Sequence, residues 1–349
     1  MTKCLIQAKH IMLTLILFIS ACQSNDLVVD QTQTLSVEEY PPEMTRAEVE
    51  SLSSLEQIDP YPLYTMYYTV EYDTGAAYDN QRYVEFAGNP TWSCSLFSVF
   101  GDPGNMLFGR NFDWDFSPGI LLFTDPPGGY ASVSMVDIYY LGYGGEKAYG
   151  ITDLPLSERV GLLNAPYAPF DGMNEAGLAV GMASVPDGGM EEDPSKETID
   201  SLMVIRKILD EAATIDEAVE IIENNNITWG SGPPLHYLVA EKSGRSALVE
   251  FSEGELVVIP NTDPWQPATN FLVSEAWDDP GVHCWRYGLI SDRLSDNQGV
   301  LSRDDAMDLL EDVAQDSTQW SVVYGISSGE IDIVMGGDYD EVHNFELEQ

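Results

Sequence analysis

The sequence predicts an α+β fold: two antiparallel sheets with helices packed outside them. Three observations predict it. Short runs dense in Val, Ile, Tyr and Thr fill residues 61 to 143, two amphipathic helical stretches follow between 196 and 225, and strand-like runs then resume. Strands, then helices, then strands again bury two sheets against each other, with the helices on their outer faces. With 349 residues, 44% of them hydrophobic, the chain has enough apolar side chain for a large core.

The elements can be justified in order. "MTKCLIQAKHIMLTLILFISAC" carries Lys3 and Lys9, no acid, and an apolar run from Ile11 to Ile19. A basic start and a run too short to span a bilayer comfortably read as a signal peptide over 1–21. The ending Ile19-Ser20-Ala21-Cys22 resembles a bacterial lipobox. It implies lipidation of Cys22 and an exported lipoprotein of the cell envelope, anchored to a bacterial membrane. A plain signal peptide cut after Ala21 is the alternative, and it leaves export unchanged. Residues 22–44 are polar and aperiodic, and read as a flexible tether.

Thr45 with Glu48 forms a capping box opening a helix over "TRAEVESLSSLEQI". "YPLYTMYYTVEYD" reads as a strand, with "QRYVEFAG" a continuation after Gly75, so 45–93 holds a helix and an aromatic strand. From Cys94, "CSLFSVFG" and "MLFGRNFDW" read as a hairpin, followed by strands at "GILLFTDP", "YASVSMVDIYYLGY" and "LAVGMASVP". Helices are expected over "KETIDSLMVIRKILDEA" and "TIDEAVEIIENN". The first shows apolar positions at helical spacing, and the second opens with Thr214 and Glu217 as a capping box. "PLHYLVAEKSG", "SALVEFSEGELVVIP" and "ATNFLVS" read as strands. A helix near "SRDDAMDLLEDVAQ" and a hairpin, "WSVVYGISSGEIDIVMGG", close the chain.

Charge narrows the partners. Fifteen Lys and Arg stand against 58 Asp and Glu, a formal net charge of −43. That argues against nucleic acid and against anionic membrane, so the expected membrane link is the lipid alone. The four cysteines, at 4, 22, 94 and 284, have neither zinc-site nor disulfide-framework spacing, and no metal or cofactor is expected.

Cys94 poses the chemical question. It reads either as an inert buried thiol or as a nucleophile, and a Cys–His nucleophile needs an imidazole base. His236, His283 and His343 are the histidines of the body, and none sits in a recognisable signature. A third arrangement needs no histidine: cleavage before the cysteine frees an α-amine with a pKa near 8, which can itself serve as the base.

The segment "CSLFSVFGDPGNMLFGRNFDWDF" gives that arrangement its context. It resembles the start of the choloylglycine hydrolase and penicillin V acylase family, N-terminal-nucleophile hydrolases whose mature chains begin with Cys and run to G-R-N-x-D-W. The Arg and Asp stand sixteen and nineteen residues after the Cys, here at positions 110 and 113. The resemblance implies a four-layer αββα sandwich over 94–349, with Cys94 as nucleophile and Arg110 and Asp113 as its partners. "FDGMNEAGLAVGMASVP" is similar to the family's N-E-x-G-L-x-x-x-G segment and puts Asn174 in an oxyanion role. "ATNFLVS" does the same for Asn270. "HCWRYGLISDRL" looks like the S-R-F-x-R region and points to Arg286, with Arg293 and Asn261 as fallbacks.

Cys94 lies deep in the chain, which resembles acid ceramidase and the acyltransferases acting on 6-aminopenicillanic acid. That implies autoproteolysis between Ser93 and Cys94, with 45–93 retained as a small subunit. The expected reaction is hydrolysis of a linear, non-peptide C–N amide, through a Cys94 acyl-enzyme, on a neutral or weakly charged N-acyl amide. An acyltransferase, with an amine intercepting the acyl-enzyme, is the alternative enzyme. A non-catalytic ligand-binding surface lipoprotein is the alternative of another class, and a Cys–His peptidase using His236 is a further rival. A homo-oligomer is left open, and Cys284 reads as a buried free thiol.

Overall fold

The computed structural model describes residues 44–73, 93–230, 232–276 and 280–348. The signal peptide, the lipidation site, most of the tether and the "QRYVEFAG" strand lie outside the described residues.

Two sheets face each other. One has nine strands in the spatial order Glu56–Asp59, Leu63–Tyr68, Gly119–Thr124, Ser132–Asp137, Pro169–Asn174, Leu178–Ser184, Leu235–Glu241, Arg245–Ser252 and Glu255–Pro260. The other has six: Trp265–Ala268, Ser93–Val99, Leu107–Asp113, Thr318–Gly325, Glu330–Met335 and His343–Glu346. Helices Ser201–Glu211 and Ile215–Glu223 cover the large sheet, while Trp285–Asp296 and Arg303–Asp312 cover the small one. This is the α+β sandwich, in four layers. The inner faces share the main core, with Leu96, Phe108, Phe112, Met135, Val180, Leu238 and Trp320 fully or almost fully buried. A separate apolar cluster, including Phe97, Leu107, Ile290, Leu310 and Val334, seals the small sheet to its helices.

Several expectations are corrected locally. The first helix is shorter, Arg46–Ser53, with the expected capping box. The Ser54 side chain then bonds the Ser51 and Tyr67 carbonyls, and Glu56–Asp59 turns into a strand instead. Leu63–Tyr68 pairs parallel to Gly119–Thr124, so the large sheet is not wholly antiparallel. The 45–93 segment thus contributes two strands to the same sheet as the rest of the chain. "ATNFLVS" is not a strand: pairing stops at Ala268, which leaves Asn270 just past the strand end. Pro169–Asn174, Trp285–Asp296 and His343–Glu346 are regular elements that the sequence reading left unassigned.

Glycines set the close approach of the layers at two places. A Cβ on Gly109 would sit 2.3 Å from the Phe97 ring, so the Gly of "FGRNFD" lets that ring lie across the neighbouring strand. A Cβ on Gly181 would meet Leu96 at 2.8 Å and Phe108 at 3.1 Å, side chains of the opposite sheet.

Candidate active site

Cys94 lies in the second strand of the small sheet, between the strand that ends at Ala268 and the strand carrying Arg110 and Asp113. The register pairs Cys94 with Phe112 and Leu96 with Arg110. The "GRNFDW" spacing therefore follows from an antiparallel hairpin that folds residues 110 and 113 back beside residue 94. Cys94 is only 2% exposed.

Around its sulfur, Arg110 Nη2 stands at 4.0 Å. Arg110 is itself fully buried. Its Nη1 donates to the Phe170 carbonyl at 2.6 Å and forms an ion pair with Asp171. Asp171 also accepts from Tyr324 Oη at 2.5 Å and Trp320 Nε1 at 3.3 Å, so this carboxylate is saturated and anchors the guanidinium. Burial pushes the Cys94 thiol up; the Arg110 charge opposes this and the Asp113 charge adds to it. A dry pocket that raises a thiol keeps it protonated until a base removes the proton.

The backbone of Cys94 is held as tightly as its side chain. Its N–H donates to Asn270 Oδ1 at 2.6 Å. Its carbonyl accepts from Arg286 Nη1, which also donates to Ser95 Oγ at 2.9 Å, while Arg286 Nη2 donates to Asn270 Oδ1 at 3.0 Å. Asn270 Nδ2 donates to the Ser184 carbonyl at 2.9 Å and Ser184 Oγ at 3.1 Å. Arg286 comes from the first turn of its helix and reaches the site although the surrounding "HCWRY" departs from the family pattern.

Asp113 accepts from Thr318 Oγ1 at 2.5 Å, and its Oδ2 lies 3.9 Å from Arg286 Nη1 with no hydrogen-bond partner among the described residues. Burial pushes this carboxyl up to about 6, against the pull of Thr318, Arg286 and Arg110.

Five of the expected site residues are thus brought together: Cys94, Arg110, Asp113, Asn270 and Arg286. Asn174 is not among them. Both of its Nδ2 hydrogens are spent on carbonyls of the outer helix end, Ala212 at 2.7 Å and Leu209 at 3.0 Å, and its Oδ1 accepts from Leu178 N. Its physical role is to close the "NEAGL" turn, where Gly177 takes φ +76°, and to tie that turn to the helix; no side-chain N–H is left for an oxyanion. Of the fallbacks, Arg293 pairs with Asp312 on the surface, and Asn261 braces a turn by bonding Ser246, Gly244 and Asp263. His236 Nδ1 stands 3.3 Å from Glu250, and none of the described histidines hydrogen-bonds Cys94. Cys284 is a half-buried free thiol. Burial pushes it up, but Thr269, nearby backbone N–H groups and Arg286 together leave it below the ordinary thiol range.

Sequence reasoning missed Asp171, Ser184 and Thr318. Asp171 stands inside "FDGMNEAGL", three residues before Asn174. A carboxylate beside a glycine in an apolar run was a signal that could have found it. A single Ser or Thr near a strand end carries no such signal.

Residues 94–265 match the family model of linear amide C–N hydrolases, choloylglycine hydrolase family. Those residues belong to that family. Conjugated bile acid hydrolase from Clostridium perfringens has a similar structure, with a TM-score of 0.53 at 14% identity, covering 72% of this chain and 92% of that one. Penicillin V acylase from Agrobacterium tumefaciens gives 0.51 at 17% identity, covering 73% and 86%. At these identities the likeness is one of fold. The family is one of amide hydrolases. Its matched segment contains Cys94, Arg110 and Asp113, whereas Asn270 and Arg286 lie beyond it and owe their place in the site to geometry.

Proposed function

We propose that this chain cleaves itself between Ser93 and Cys94 and then hydrolyses a linear N-acyl amide through a thioester on Cys94. The observation that carries the reading is the hold on Cys94 N. The atom that cleavage would turn into an amine is hydrogen-bonded to Asn270 Oδ1 at 2.6 Å and belongs to the same residue as the nucleophilic sulfur.

In the self-cleavage step the Cys94 sulfur attacks the Ser93 carbonyl carbon and the Ser93–Cys94 C–N bond breaks. The thiol proton ends on the leaving amine, and water then hydrolyses the ester-like thio link to leave a Ser93 carboxylate and a free Cys94. In turnover the α-amine takes the thiol proton as sulfur attacks the substrate carbonyl. Asp113 Oδ2 is the acceptor left for the resulting ammonium, and Asn270 Oδ1 remains the other. The ammonium returns a proton to the departing amine, and water, deprotonated by the α-amine, releases the acid. Asn270 Nδ2 supplies the donor for the tetrahedral oxyanion by giving up its contact with Ser184 Oγ, worth roughly 3–4 kcal/mol in comparable acyl-transfer sites.

Both site arginines are already committed: Arg110 to Asp171 and Phe170, Arg286 to the Cys94 carbonyl, Ser95 and Asn270. On a chain of net charge −43 this favours a neutral or weakly charged amide over an anionic conjugate. The segment upstream of the cut stays attached through its two strands in the large sheet, and a lipid on Cys22 holds the assembly at the membrane of the cell that exports it. Incorporation of labelled palmitate into the wild type but not Cys22→Ala checks the anchor.

Intact-mass analysis tests the main reading. Wild type should give two fragments whose masses place the break at Ser93–Cys94, and Cys94→Ala one uncut, inactive chain. A single uncut wild-type chain that hydrolyses N-acyl amides would overturn it.

A further inference from the structure

Far along the chain from the Cys94 hairpin, three side chains converge where the end of the Glu56–Asp59 strand meets the last strand of the small sheet. One ligand atom each from Asp59, Glu341 and His343 falls within 4.8 Å of the others. We infer that these residues form a binding site for one first-row divalent metal ion of the Zn2+ kind, with a water completing the coordination.

Four observations carry this. The donor set is one imidazole nitrogen and two carboxylate oxygens, a combination that zinc accepts, whereas Ca2+ and Mg2+ want six or more oxygens. Cation supply is thin: among the described residues Asp59, 7% exposed, has His343 as its ionic partner, and the exposed Glu341 is ion-paired to no lysine or arginine. A buried carboxylate such as Asp59 gains from a cation at its free face, and a metal ion shared with Glu341 and His343 would supply one. The ligands are also oriented from behind. Asp59 Oδ1 accepts the Tyr61 backbone N–H at 2.6 Å, which leaves Oδ2 turned to His343 Nε2. Tyr61 in turn is fixed by Gln319 Oε1 at 2.7 Å, and its ring lies so close to Gly336 that a Cβ there would come within 2.6 Å. Finally, Gly336 and Gly337 both take positive φ, +59° and +75°, which turns the chain back so that Glu341 reaches the same corner as His343.

His343 Nε2 and Asp59 Oδ2 are now 2.6 Å apart. Metal bonds near 2.0–2.1 Å in a tetrahedron need about 3.3 Å between ligands, so entry of the ion requires this pair to open by under 1 Å and the Glu341 carboxylate, within 4.8 Å of both, to close on it. Asp59 comes from upstream of the Ser93–Cys94 bond and the other two ligands from the C-terminal end. On the self-cleavage reading proposed above, the ion would therefore bridge the two pieces; the site itself does not depend on that reading.

The test uses the full Cys94→Ala chain, so binding is measured whether or not the wild type cuts itself. Chelator-stripped protein is titrated with ZnCl2 in excess MgCl2, which occupies the acidic surface at large. One equivalent of Zn2+ should bind and raise the thermal midpoint. Glu341→Gln keeps the Asp59–His343 hydrogen bond and the midpoint of the metal-free protein, but should weaken Zn2+ by roughly tenfold or more. His343→Asn should abolish binding. No saturable uptake, or uptake indifferent to both substitutions, overturns the site and leaves Asp59 and His343 an ordinary hydrogen-bonded pair.

Discussion

Two fully buried arginines, each beside an aspartate and each over an aromatic ring, sit on opposite faces of the large sheet. Arg110 pairs with Asp171 and stands 5.1 Å from the Phe112 ring; Arg206 pairs with Asp210 at 2.6 Å and stands 5.8 Å from the Tyr72 ring. Each leaves guanidinium nitrogen unpaired, Nε in Arg110, Nε and Nη1 in Arg206. The difference is in what Nη2 faces. Arg110 presents its Nη2 to a thiol at 4.0 Å, whereas Arg206 Nη2 carries both the Asp210 pair and a bond to the Ser132 hydroxyl at 2.5 Å. The counter-ions differ as well. Asp171 has two further donors, but among the described residues Asp210 has only Tyr72 Oη at 3.0 Å and an unpaired Oδ2, and burial pushes its carboxyl up. Burial and ion pairing therefore do not mark a catalytic arginine. On the function proposed above, the thiol beside it does.

Substituting each arginine separates the two. Arg110→Met and Arg206→Met each strand a buried carboxylate and should each cost about 3–5 kcal/mol of stability in urea unfolding. Only Arg110→Met should also remove turnover, by about 10²-fold or more in kcat/KM for the fraction that folds, since it alone takes a charge from the sulfur. Equal loss of kcat in Arg206→Met would erase the distinction drawn between the two pairs.

The two asparagines repeat the contrast on a smaller scale. Asn270→Ala should lower kcat by about 10²–10³ with little change in fold, because it deletes the Cys94 N–H acceptor and the proposed oxyanion donor together. Asn174→Ala should leave two helix-end carbonyls without their donor and cost about 1–3 kcal/mol, with kcat of the folded enzyme unchanged. A kcat loss in Asn174→Ala would return that residue to the site.

How far the sequence disclosed this molecule follows from which interactions are local. Cys94, Arg110 and Asp113 were legible because one hairpin fixes their relation: sixteen and nineteen residues on an antiparallel pair bring the same side chains together wherever that turn occurs. Asn270 and Arg286 were legible only by order along the chain, since a strand end and a helix start meet there through tertiary packing. Asn174 misled because "NEAGL" has a local reason to exist, a tight turn, that is indifferent to chemistry. Arg206 was hidden by its own helix: among Ile199, Leu202, Met203, Ile205 and Leu209 an arginine four residues before Asp210 reads as a surface ion pair. The helix buries it instead. The parallel pairing of Leu63–Tyr68 was equally out of reach, because strand direction is set by the path of the connection and not by the residues of the strand.

The smallest expected effect tests the most delicate part of the site, the protonation of Asp113. Burial raises this carboxyl from the ordinary 3.8 to about 6, so the folded chain binds the proton more tightly than the unfolded one. The stability it contributes is then full below about pH 4 and is lost as pH rises through 6, by up to about 1.4 kcal/mol per pH unit over that window. If ionised Asp113 orients the Cys94 amine, kcat/KM must climb through the same window, gaining activity as stability falls. Thr318→Val deletes the 2.5 Å hydrogen bond that favours the ionised form. The acid limb of the pH–rate profile should move to higher pH, the decline in stability should extend in the same direction, and the rate at pH 8 should stay close to that of the wild type. A profile unmoved by Thr318→Val would mean that the limb belongs to another group, and Asp113 would then stand nearer to Asp210 than to Cys94 in kind: a buried carboxylate held for the fold.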